Sequence, residues 1–498
     1  MVASAVLAFD VGTSGVKAVV TDADGRPTAS AYQTYPLSTL PDGGVEQSLD
    51  HIVDAVFATG RQLAASLGDN INHLTGISVT AQMFNLVPVG SDGRASGPMI
   101  SWLDQRAGDA AANFAQQHPD QWTTFGCVLT AKDIVPRIRW LQQERPSTVS
   151  ATRWLLDCKE AIVMALCGRA VIDPSGATAF RLTDDTGTNW DPAKCRIAGV
   201  SLDLLPTIRP ATDVAGGLLP SAADRLNLPV GTPVYVGTGD VIASQLGAGA
   251  VHPGDAHLSL GTAAYFGLLL PHRGEDPGRN LAPLVHVDRR SWILWLEMAT
   301  GGAALTWALR LTGLVGPDGT DFQRMEALVR QARDGMGDLV FGPWFTGERV
   351  PLFDDSLRGA VSGLDLHHGP GHLIRSVMLG VACQLRWALT YGEAFATPAT
   401  RIVAVGGGAM GSLWTQLIAN VLGREVVSLD DAQDAGSVGA ASCALVGAGL
   451  QDSFEFLADR SHVGTIFRPD PDESDGAQQL FHRFQALAGH TGPTPARA

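Results

Sequence analysis

The chain has 498 residues, of which 45% are hydrophobic and 17% charged, a composition that favours a globular protein with more than one domain. Its formal net charge of −15 argues against nucleic acid or an anionic membrane surface as a partner, and no apolar run is long enough to cross a bilayer. The six cysteines form no C-x-x-C pair and the N-terminus has no basic signal-peptide region, so we expect a cytoplasmic protein without structural zinc or a disulfide framework.

The first feature along the chain is a glycine-rich turn between two apolar runs, AVLAFDVGTSGVKAVVTD at residues 5–22. This pattern predicts a β-hairpin in which Gly12 and Gly15 allow positive φ angles and the hydroxyls between them lie beside backbone N–H groups that could hold an anion. A turn alone needs neither Asp10 nor Lys17, whereas a hydrated metal ion and a phosphate group would use both. On these residues alone, a structural hairpin and a phosphate-binding turn are equally good interpretations.

An amphipathic helix and a buried strand are predicted next. Ser48 is a suitable N-cap, Ile52 and Val56 lie on one helical face, and Gly68 ends the pattern. The segment LTGISVTAQ at residues 74–82 then has the composition of a strand. Alternation of strands and helices favours an α/β fold.

A carboxylate follows a later strand, in PVYVGTGD at residues 233–240. Asp240 lies in a glycine-rich turn at the carboxyl end of this strand, the position from which side chains of α/β proteins commonly point into a ligand-binding crevice. The alternative is that Asp240 only caps the helix that begins near Val241. Both roles are compatible with the local sequence.

The segment DAHLSLGTAAYFGLLLP at residues 255–271 repeats the pattern of the opening stretch. Two apolar runs again flank a short turn, in this case with Gly261 and Thr262. The duplication predicts two related domains that face one another, so that a phosphate chain between them would meet both turns.

A third glycine-rich turn lies in RIVAVGGGAMGSLWTQLIANVLG at residues 401–423, between a predicted buried strand and a helix. The helix N-terminus after residues 406–408 is a natural site for a nucleotide, because side chains are absent and N–H groups point outward. The alternative is a tight β–α turn, which usually tolerates fewer than three consecutive glycines.

Nine segments in this order resemble the FGGY family of carbohydrate kinases over nearly the whole chain, most closely its xylulokinases. The matching segments are FDVGTSGVK (9–17), VEQ (45–47), TAQM (80–83), SWLDQR (101–106), VGTGD (236–240), LSLGT (258–262), GERVP (347–351), RGAVSGLDLHHGP (358–370) and VGGGAMGSLW (405–414). The resemblance implies an α/β fold with two ribonuclease-H-like domains around an ATP cleft, as in actin and hexokinase, at residues 1–243 and 244–498. It also implies transfer of the γ-phosphate of ATP, with Mg²⁺, to a hydroxyl of a small ketose or polyol.

The resemblance assigns roles to individual residues. It makes Asp240 the catalytic base and Asp10 the acid associated with Mg²⁺. The implied phosphate-binding residues are Gly12, Thr13, Ser14, Lys17, Gly261 and Thr262. The implied nucleotide-binding residues are Gly406, Gly407, Gly408, Ala409 and Asn420. The implied sugar-binding residues are Gln82, Met83, Phe84, Trp102, Asp104 and Val241, although Asp104 could instead cap the helix that follows it.

Two residues depart from the pattern of many xylulokinases. Phe84 stands where histidine is common, and Val241 stands where asparagine usually follows the catalytic aspartate. Both replacements remove hydrogen-bonding groups from the expected sugar site, and burying an unpartnered hydroxyl costs about 1–3 kcal/mol. D-xylulose is therefore expected to be a poor substrate compared with a less hydroxylated or differently configured one, such as a deoxy sugar or a dihydroxy-diketone signal.

Two other functions are compatible with parts of the sequence. One is a kinase-derived sugar sensor that binds ATP without turnover, which the presence of Asp10, Lys17 and Asp240 disfavours. The other is an actin-like or chaperone-like ATPase, which the sugar-family segments at 101–106 and 347–370 disfavour. A homodimer is expected only because relatives often form one.

Overall fold

The computed structural model describes residues 5–68, 74–273, 281, 283–316, 319–354, 356–462 and 464–491. The chain forms two compact units. The first comprises Met1–Val251, Leu270–Ile293 and Asp434–Ala458, and the second comprises His252–Leu269, Leu294–Gln433 and Asp459–Ala498. The expected boundary between residues 243 and 244 stays a prediction.

Strands and helices are interspersed along the whole chain. The strands are β1 Ala5–Val11, β2 Gly15–Thr21, β3 Pro27–Thr34, β4 Ser38–Thr39, β5 Val45–Gln47, β6 Leu74–Ala81, β7 Val87–Val89, β8 Met99–Ile100, β9 Trp154–Leu156, β10 Val171–Ile172, β11 Thr207–Ile208, β12 Val214–Gly217, β13 Pro233–Tyr235, β14 Asp255–Leu260, β15 Ala264–Leu270, β16 Leu284–Val285, β17 Trp292–Met298, β18 Val315–Gly316, β19 Gly319–Thr320, β20 Val340–Gly342, β21 Ala360–Ser362, β22 Arg401–Val405, β23 Val426–Ser428 and β24 Thr465–Phe467. The helices are α1 Leu49–Leu67, α2 Gly108–Gln117, α3 Gln121–Phe125, α4 Ile134–Glu144, α5 Pro146–Ala151, α6 Cys158–Cys167, α7 Pro174–Ala179, α8 Pro192–Ala198, α9 Pro220–Leu226, α10 Asp240–Gly247, α11 Gly302–Leu311, α12 Phe322–Gln331, α13 Pro370–Glu393, α14 Ser412–Leu422, α15 Ala435–Gly447 and α16 Ser474–Thr491.

The first unit is built on a six-stranded sheet with the order β12-β13-β6-β1-β2-β3. Strand β1 pairs antiparallel with β2, which confirms the predicted hairpin, and parallel with β6 on its other side. Strand β13 pairs parallel with β6. The carboxyl ends of β1, β6 and β13 therefore lie at the same edge of this sheet.

Strand β1 is buried on both faces, which explains its nearly continuous apolar sequence. Val6 and Ala8 pack in the cluster that includes residues of α15, whereas Leu7 and Phe9 pack in the cluster that includes Ile52 of α1. Full burial of each large apolar side chain stabilises the fold by about 1.5–3 kcal/mol. Asp10 interrupts this run one residue before the strand ends.

Helix α1 has the predicted ends. The Ser48 side chain accepts a hydrogen bond from the His51 N–H at 3.4 Å. Gly68 follows the last helical residue with a φ of +52°, a conformation that favours glycine. The prediction of this helix from its cap, its apolar face and its terminal glycine is confirmed.

Most strands of the second unit belong to a seven-stranded sheet with the order β16-β17-β15-β14-β22-β23-β24. Strand β14 pairs antiparallel with β15 and parallel with β22, as β1 pairs with β2 and β6. The order β17-β15-β14-β22-β23 thus repeats the order β3-β2-β1-β6-β13 of the first unit. This repetition confirms the predicted α/β fold with two related domains.

The sequence predicts that no apolar segment of the chain is long enough to cross a membrane. Within the described residues, no helix has both the length and the hydropathy that a membrane span requires.

Candidate active site

Asp10 and Lys17 lie opposite each other on the first hairpin. The Lys17 ammonium forms an ion pair with the carboxylate of Asp434, which precedes α15. Burial raises the pKa of Asp10 to about 6, an effect that the charge of Lys17 opposes and the charge of Asp434 reinforces. The Asp10 carboxylate also packs so closely on α15 that a Cβ at Gly436 would overlap its Oδ2 atom. The hairpin thus places an acid and an ammonium where a cation or a phosphate could use them.

The structural requirement for glycine in this turn differs from the predicted one, which was a positive φ angle. Neither Gly12 nor Gly15 adopts a positive φ, so the predicted conformational reason was wrong. Gly15 is needed because a Cβ there would lie only 2.6 Å from the Gln33 carbonyl oxygen and 2.7 Å from the Tyr32 hydroxyl. The turn is closed by the Gly12 N–H, which donates to the Gly15 carbonyl at 2.9 Å.

Three side chains from outside the hairpin fix the turn. The Trp102 indole N–H donates to the Thr13 hydroxyl at 3.0 Å, and the Gln47 amide donates to the Thr13 carbonyl at 2.9 Å. The Tyr35 hydroxyl donates to the Gly12 carbonyl. Sequence reasoning gave Gln47 no role and missed Tyr35, because neither belongs to a local pattern that points to the turn.

Ser14, at the tip of the same turn, is exposed. Its carbonyl accepts from the Tyr35 N–H at 3.3 Å. A hydroxyl at an exposed tip is accessible to a ligand, as the predicted phosphate-binding role requires.

Asp240 is the first residue of α10, and Gly239 is the N-cap. The helix therefore begins one residue earlier than the capping alternative assumed, and its N-cap has no side chain. The pKa of Asp240 is raised to about 8, mainly by burial and also by the neighbouring carboxylates of Asp10 and Asp157, although the Val241 N–H opposes the shift. A carboxyl with a pKa near neutrality is suited to accept and release a proton.

The loop before Asp240 needs both of its glycines. Gly237 has a φ of +66°, and a Cβ there would overlap the carbonyl of Val79 on β6. A Cβ on Gly239 would overlap the Met83 sulfur. Met83, one of the predicted sugar-binding residues, therefore packs directly against the loop that carries Asp240.

Three other predicted sugar-binding residues, Gln82, Phe84 and Val241, are also buried. The Gln82 N–H donates to the Val11 carbonyl at 2.8 Å, and its side-chain amide donates to Gln47 at 2.9 Å. Phe84 is buried and adopts a φ of +64°, a left-handed conformation that is uncommon for an aromatic residue. Val241 is also buried, as the second residue of α10. The structure thus brings Gln82, Met83 and Trp102 close to the first turn or to the Asp240 loop.

Asp104 is the exception among these residues. Its side chain is 1% exposed. Its carboxylate accepts hydrogen bonds from the Val45 N–H at 2.8 Å, from the Arg106 N–H at 3.0 Å, and from the Arg106 guanidinium at 2.7 to 3.2 Å. It does not cap α2, whose N-cap is Ala107. Because its oxygens are engaged, Asp104 has little surface left for a sugar, and its binding role stays a prediction.

The second unit contains a cavity of about 830 Å³. Gly261 and Thr262 of the second turn and Gly407 and Gly408 of the triple glycine line one part of it, and apolar side chains that include Leu309, Phe322 and Met325 line another. Glycines beside an apolar wall suit a ligand with phosphates at one end and a flat ring at the other. The two glycine turns that the sequence marked in this half are therefore brought together.

The remaining predicted nucleotide-binding residues are not part of the cavity lining. Gly406 precedes the lining glycines and has a φ of +87°. Ala409 is buried, and its carbonyl accepts from the Ser428 hydroxyl at 2.8 Å. The Asn420 oxygen accepts from the Asp470 N–H at 3.0 Å, and its amide donates to Glu473 at 2.5 Å. The structure does not bring Asn420 to the cavity.

Comparison with known proteins gives matches over most of the chain. The family model described as the FGGY family of carbohydrate kinases, N-terminal domain, matches residues 5–247, and the C-terminal-domain model of the same family matches residues 256–448. A gluconokinase of Bacillus subtilis (strain 168) is 26% identical over 487 residues, covering 96% of this chain and 93% of that protein. A xylulose kinase of the same strain is 26% identical over 493 residues, covering 98% and 97%. The crystal structure of a ligand-bound xylulose kinase from Lactobacillus acidophilus superposes with a TM-score of 0.87 at 23% identity, covering 98% of each chain.

Proposed function

We propose that this chain, which belongs to the FGGY family of carbohydrate kinases, transfers the γ-phosphate of ATP to a hydroxyl of a small ketose or polyol. The observation that carries the proposal is the placement of Asp240 at the start of α10, beside Asp10 and directly after Gly239, which packs against Met83; the pKa of Asp240 there is about 8. A sugar hydroxyl is a weak nucleophile, so a base that takes its proton during attack on the γ-phosphorus accelerates transfer. In this proposal Asp240 is that base.

The first turn contributes charge and hydrogen bonds to the phosphates in this proposal. Lys17 supplies a positive charge, and the backbone N–H groups and hydroxyls of Thr13 and Ser14 supply donors, while Gly12 leaves room beside them because it has no side chain. Gly261 and Thr262 contribute equivalent hydrogen-bond donors from the second unit. Residues 406–408, which lack side chains, allow the adenosine to approach the backbone. Phosphoryl transfer depends mainly on such alignment and charge neutralisation.

Asp10 is the proposed protein ligand of Mg²⁺. Mg²⁺ prefers hard oxygen donors and is usually held by one or two carboxylates together with phosphates and water. Asp10, a half-buried residue near the carboxyl end of β1, supplies such a carboxylate, and among the described residues no cluster of three or more His, Cys, Asp or Glu side chains provides an all-protein metal site. Bound Mg²⁺ would neutralise charge on the ATP phosphates.

The preferred acceptor is proposed to be less hydroxylated than D-xylulose, or differently configured. Phe84 and Val241 supply apolar side chains where a hydroxyl-binding group was expected, so a sugar hydroxyl at these positions would lose its hydrogen bonds to water without replacement. Because relatives include kinases named for gluconate and xylulose, both compounds belong in the test.

The test is ADP release by the purified protein with ATP and Mg²⁺, with and without a panel of acceptors. The panel contains D-xylulose, D-gluconate, other ketoses and polyols, deoxy sugars and dihydroxy-diketones. Acceptor-dependent ADP release supports the kinase, and the acceptor with the highest kcat/KM identifies the substrate class. ADP release that ignores every acceptor would favour a simple ATPase, and ATP binding without ADP release would favour a sensor.

The setting of the protein is also part of the proposal. We place it in the cytoplasm as a homodimer, with domains at residues 1–243 and 244–498. Light scattering during gel filtration measures the mass of the particle, and a value near the 52.3 kDa of one chain would contradict the dimer.

A further inference from the structure

A buried polar cluster lies behind the loop that carries Asp240. It consists of Lys159, Glu160, Asp173, Ser175 and Thr238, and we refer to it as the Lys159 cluster. Each of these five residues is at most 3% exposed. The Lys159 ammonium lies 2.6 Å from the Glu160 carboxylate and 3.1 Å from the Asp173 carboxylate.

The cluster makes hydrogen bonds to the loop at two residues, Val236 and Thr238. The Lys159 ammonium donates to the carbonyl of Val236 at 3.2 Å. The Thr238 hydroxyl donates to Asp173 Oδ2 at 3.0 Å and lies 2.9 Å from the Ser175 hydroxyl. Both loop residues precede Asp240, so the cluster fixes the backbone from which α10 begins.

A contribution to the stability of the fold does not by itself explain a buried cluster of charged residues. Removing an ammonium and two carboxylates from water costs several kcal/mol per ion, and well-packed apolar residues are often equally stabilising. Burial alone would disfavour the ammonium, but the carboxylates of Glu160 and Asp173 raise the pKa of Lys159 above its usual value, so the ammonium keeps its charge. A buried cluster of ion pairs and hydrogen bonds sets directions more strictly than apolar packing, because each hydrogen bond requires a particular geometry.

The start of α6 holds a second segment of the candidate site in the same way. Asp157, the N-cap of α6, accepts from the N–H and the side-chain amide of Asn85 at 3.1 and 3.0 Å. The Asn85 side-chain oxygen in turn accepts from the Trp102 N–H at 3.0 Å. Residues 157–160 therefore connect the predicted sugar-binding turn to the loop that carries Asp240.

We propose that the Lys159 cluster is a positioning device that fixes residues 236–239 and thereby aims the Asp240 carboxylate at the acceptor hydroxyl. The inference rests on the proposed function in one respect, namely that Asp240 is the base. Lys159, Asp173 and Thr238 are positioning residues in this account, because none of them is required to touch a substrate.

The first test compares two substitutions of Thr238. Thr238→Val keeps the side-chain volume, leaves no buried charge unpaired and removes the hydroxyl, whereas Thr238→Ser keeps the hydroxyl. We expect Thr238→Val to lower kcat by about 10- to 100-fold, as a small misplacement of a catalytic group does, with the KM for ATP within about twofold of wild type. Thr238→Ser is expected to stay within about threefold of wild-type kcat.

The matched control is Thr59→Val in α1. Thr59 is also buried in the first unit, and its hydroxyl donates to the Ala55 carbonyl at 2.8 Å and the Val56 carbonyl at 3.1 Å, away from the Asp240 loop. This variant loses a buried hydroxyl in the same way, so we expect a change in Tm and wild-type kcat. A fall in kcat for Thr59→Val that equals the fall for Thr238→Val would attribute the effect to general destabilisation and overturn the proposal.

Hydrogen exchange gives a readout that does not depend on turnover. In the absence of substrates, we expect faster exchange in the peptide that spans residues 236–241 of Thr238→Val, and unchanged exchange there in Thr59→Val. Asp173→Asn, which weakens the same contacts, provides a second variant if Thr238→Val does not fold, with the same expected results.

The outcomes separate this inference from the proposed function. Unchanged exchange and unchanged kcat in a folded Thr238→Val or Asp173→Asn protein would overturn the positioning role. A wild-type protein that phosphorylates no acceptor would instead refute the proposed function, and the exchange experiment would still decide whether the cluster holds the loop.

Discussion

At the scale of single residues, Asp240 makes the strongest prediction. Asp240→Asn keeps the side-chain shape but cannot accept a proton, so we expect kcat to fall by about 10²- to 10⁴-fold. ATP binding is expected to be unchanged. A variant that retains kcat within a few-fold of wild type would remove Asp240 from the role of base.

The same substitution has a pH-dependent effect on stability. The pKa of Asp240 is raised to about 8 in the folded chain from 3.8, so the folded state binds more protons than the unfolded state between these values. The stability associated with this carboxyl is therefore fully present below about pH 4 and is lost as the pH rises towards 8. Thermal unfolding should show Asp240→Asn little different from wild type at pH 4 and progressively more stable than wild type up to pH 8; a constant difference would contradict the raised pKa.

Phe84 and Val241 determine the predicted choice of acceptor. Replacing both, as Phe84→His with Val241→Asn, adds hydrogen-bonding groups, and histidine tolerates the positive φ at residue 84 better than most residues. We expect kcat/KM for D-xylulose to rise by roughly one to two decades, the equivalent of about 1–3 kcal/mol. If wild type already prefers D-xylulose over every other compound, these two side chains only line the site.

At the scale of elements, the first hairpin is expected to act in catalysis rather than only in folding. Asp10→Asn should strongly reduce Mg²⁺-dependent turnover while sugar binding, measured by calorimetry, stays close to wild type. Burial has raised the pKa of Asp10, so a neutral amide is not expected to lower Tm at neutral pH. A loss of Tm with unchanged activity per folded molecule would assign Asp10 a structural role.

The packing of α10 against α15 depends on glycine. A Cβ on Gly439 would overlap the Ala243 carbonyl, and a Cβ on Gly247 would overlap the Ala435 carbonyl. Gly439→Ala should push α10, and with it Asp240, away from its position, destabilising the fold by about 1–3 kcal/mol and lowering kcat.

Gly476→Ala in α16 is the matched control for this substitution. No heavy atom lies within 4 Å of a Cβ at residue 476, so alanine should stabilise this helix by up to about 1 kcal/mol. Denaturant unfolding of both variants measures the two effects, and equal stability of Gly439→Ala and wild type would show that the helices separate without cost.

At the scale of the whole molecule, nucleotide binding should stabilise the chain by mass action. A nucleotide present at 100 times its Kd adds about 2.7 kcal/mol to the free energy of unfolding. Gly407 lines the cavity of the second unit, and a Cβ there would meet no heavy atom within 4 Å, so Gly407→Val should fold normally while its side chain occupies ligand space. We expect ATP affinity to fall tenfold or more, a loss of about 1.4 kcal/mol. An unchanged shift of Tm with ATP in this variant would place the nucleotide elsewhere.

The sequence by itself determined the features that depend on near neighbours. The two hairpins and their duplication follow from apolar runs around glycine, and the ends of α1 follow from Ser48 and Gly68, because strand periodicity and helix capping act over a few residues. The position of Asp240 directly after a strand was equally visible. Motif order was enough to identify the family and the fold.

Only the tertiary structure decided which partners the polar groups take. It engages the Asp104 carboxylate with Val45 and Arg106, gives Lys17 the distant Asp434 as its ion-pair partner, and keeps Asn420 from the cavity. The tertiary structure also showed that residue 15 must be glycine because a Cβ would clash with its neighbours, and not because of a positive φ angle. The physical reason is that a buried polar atom must be paired, but its partner is set by the packing of elements that can lie hundreds of residues apart, and no local pattern encodes that distance.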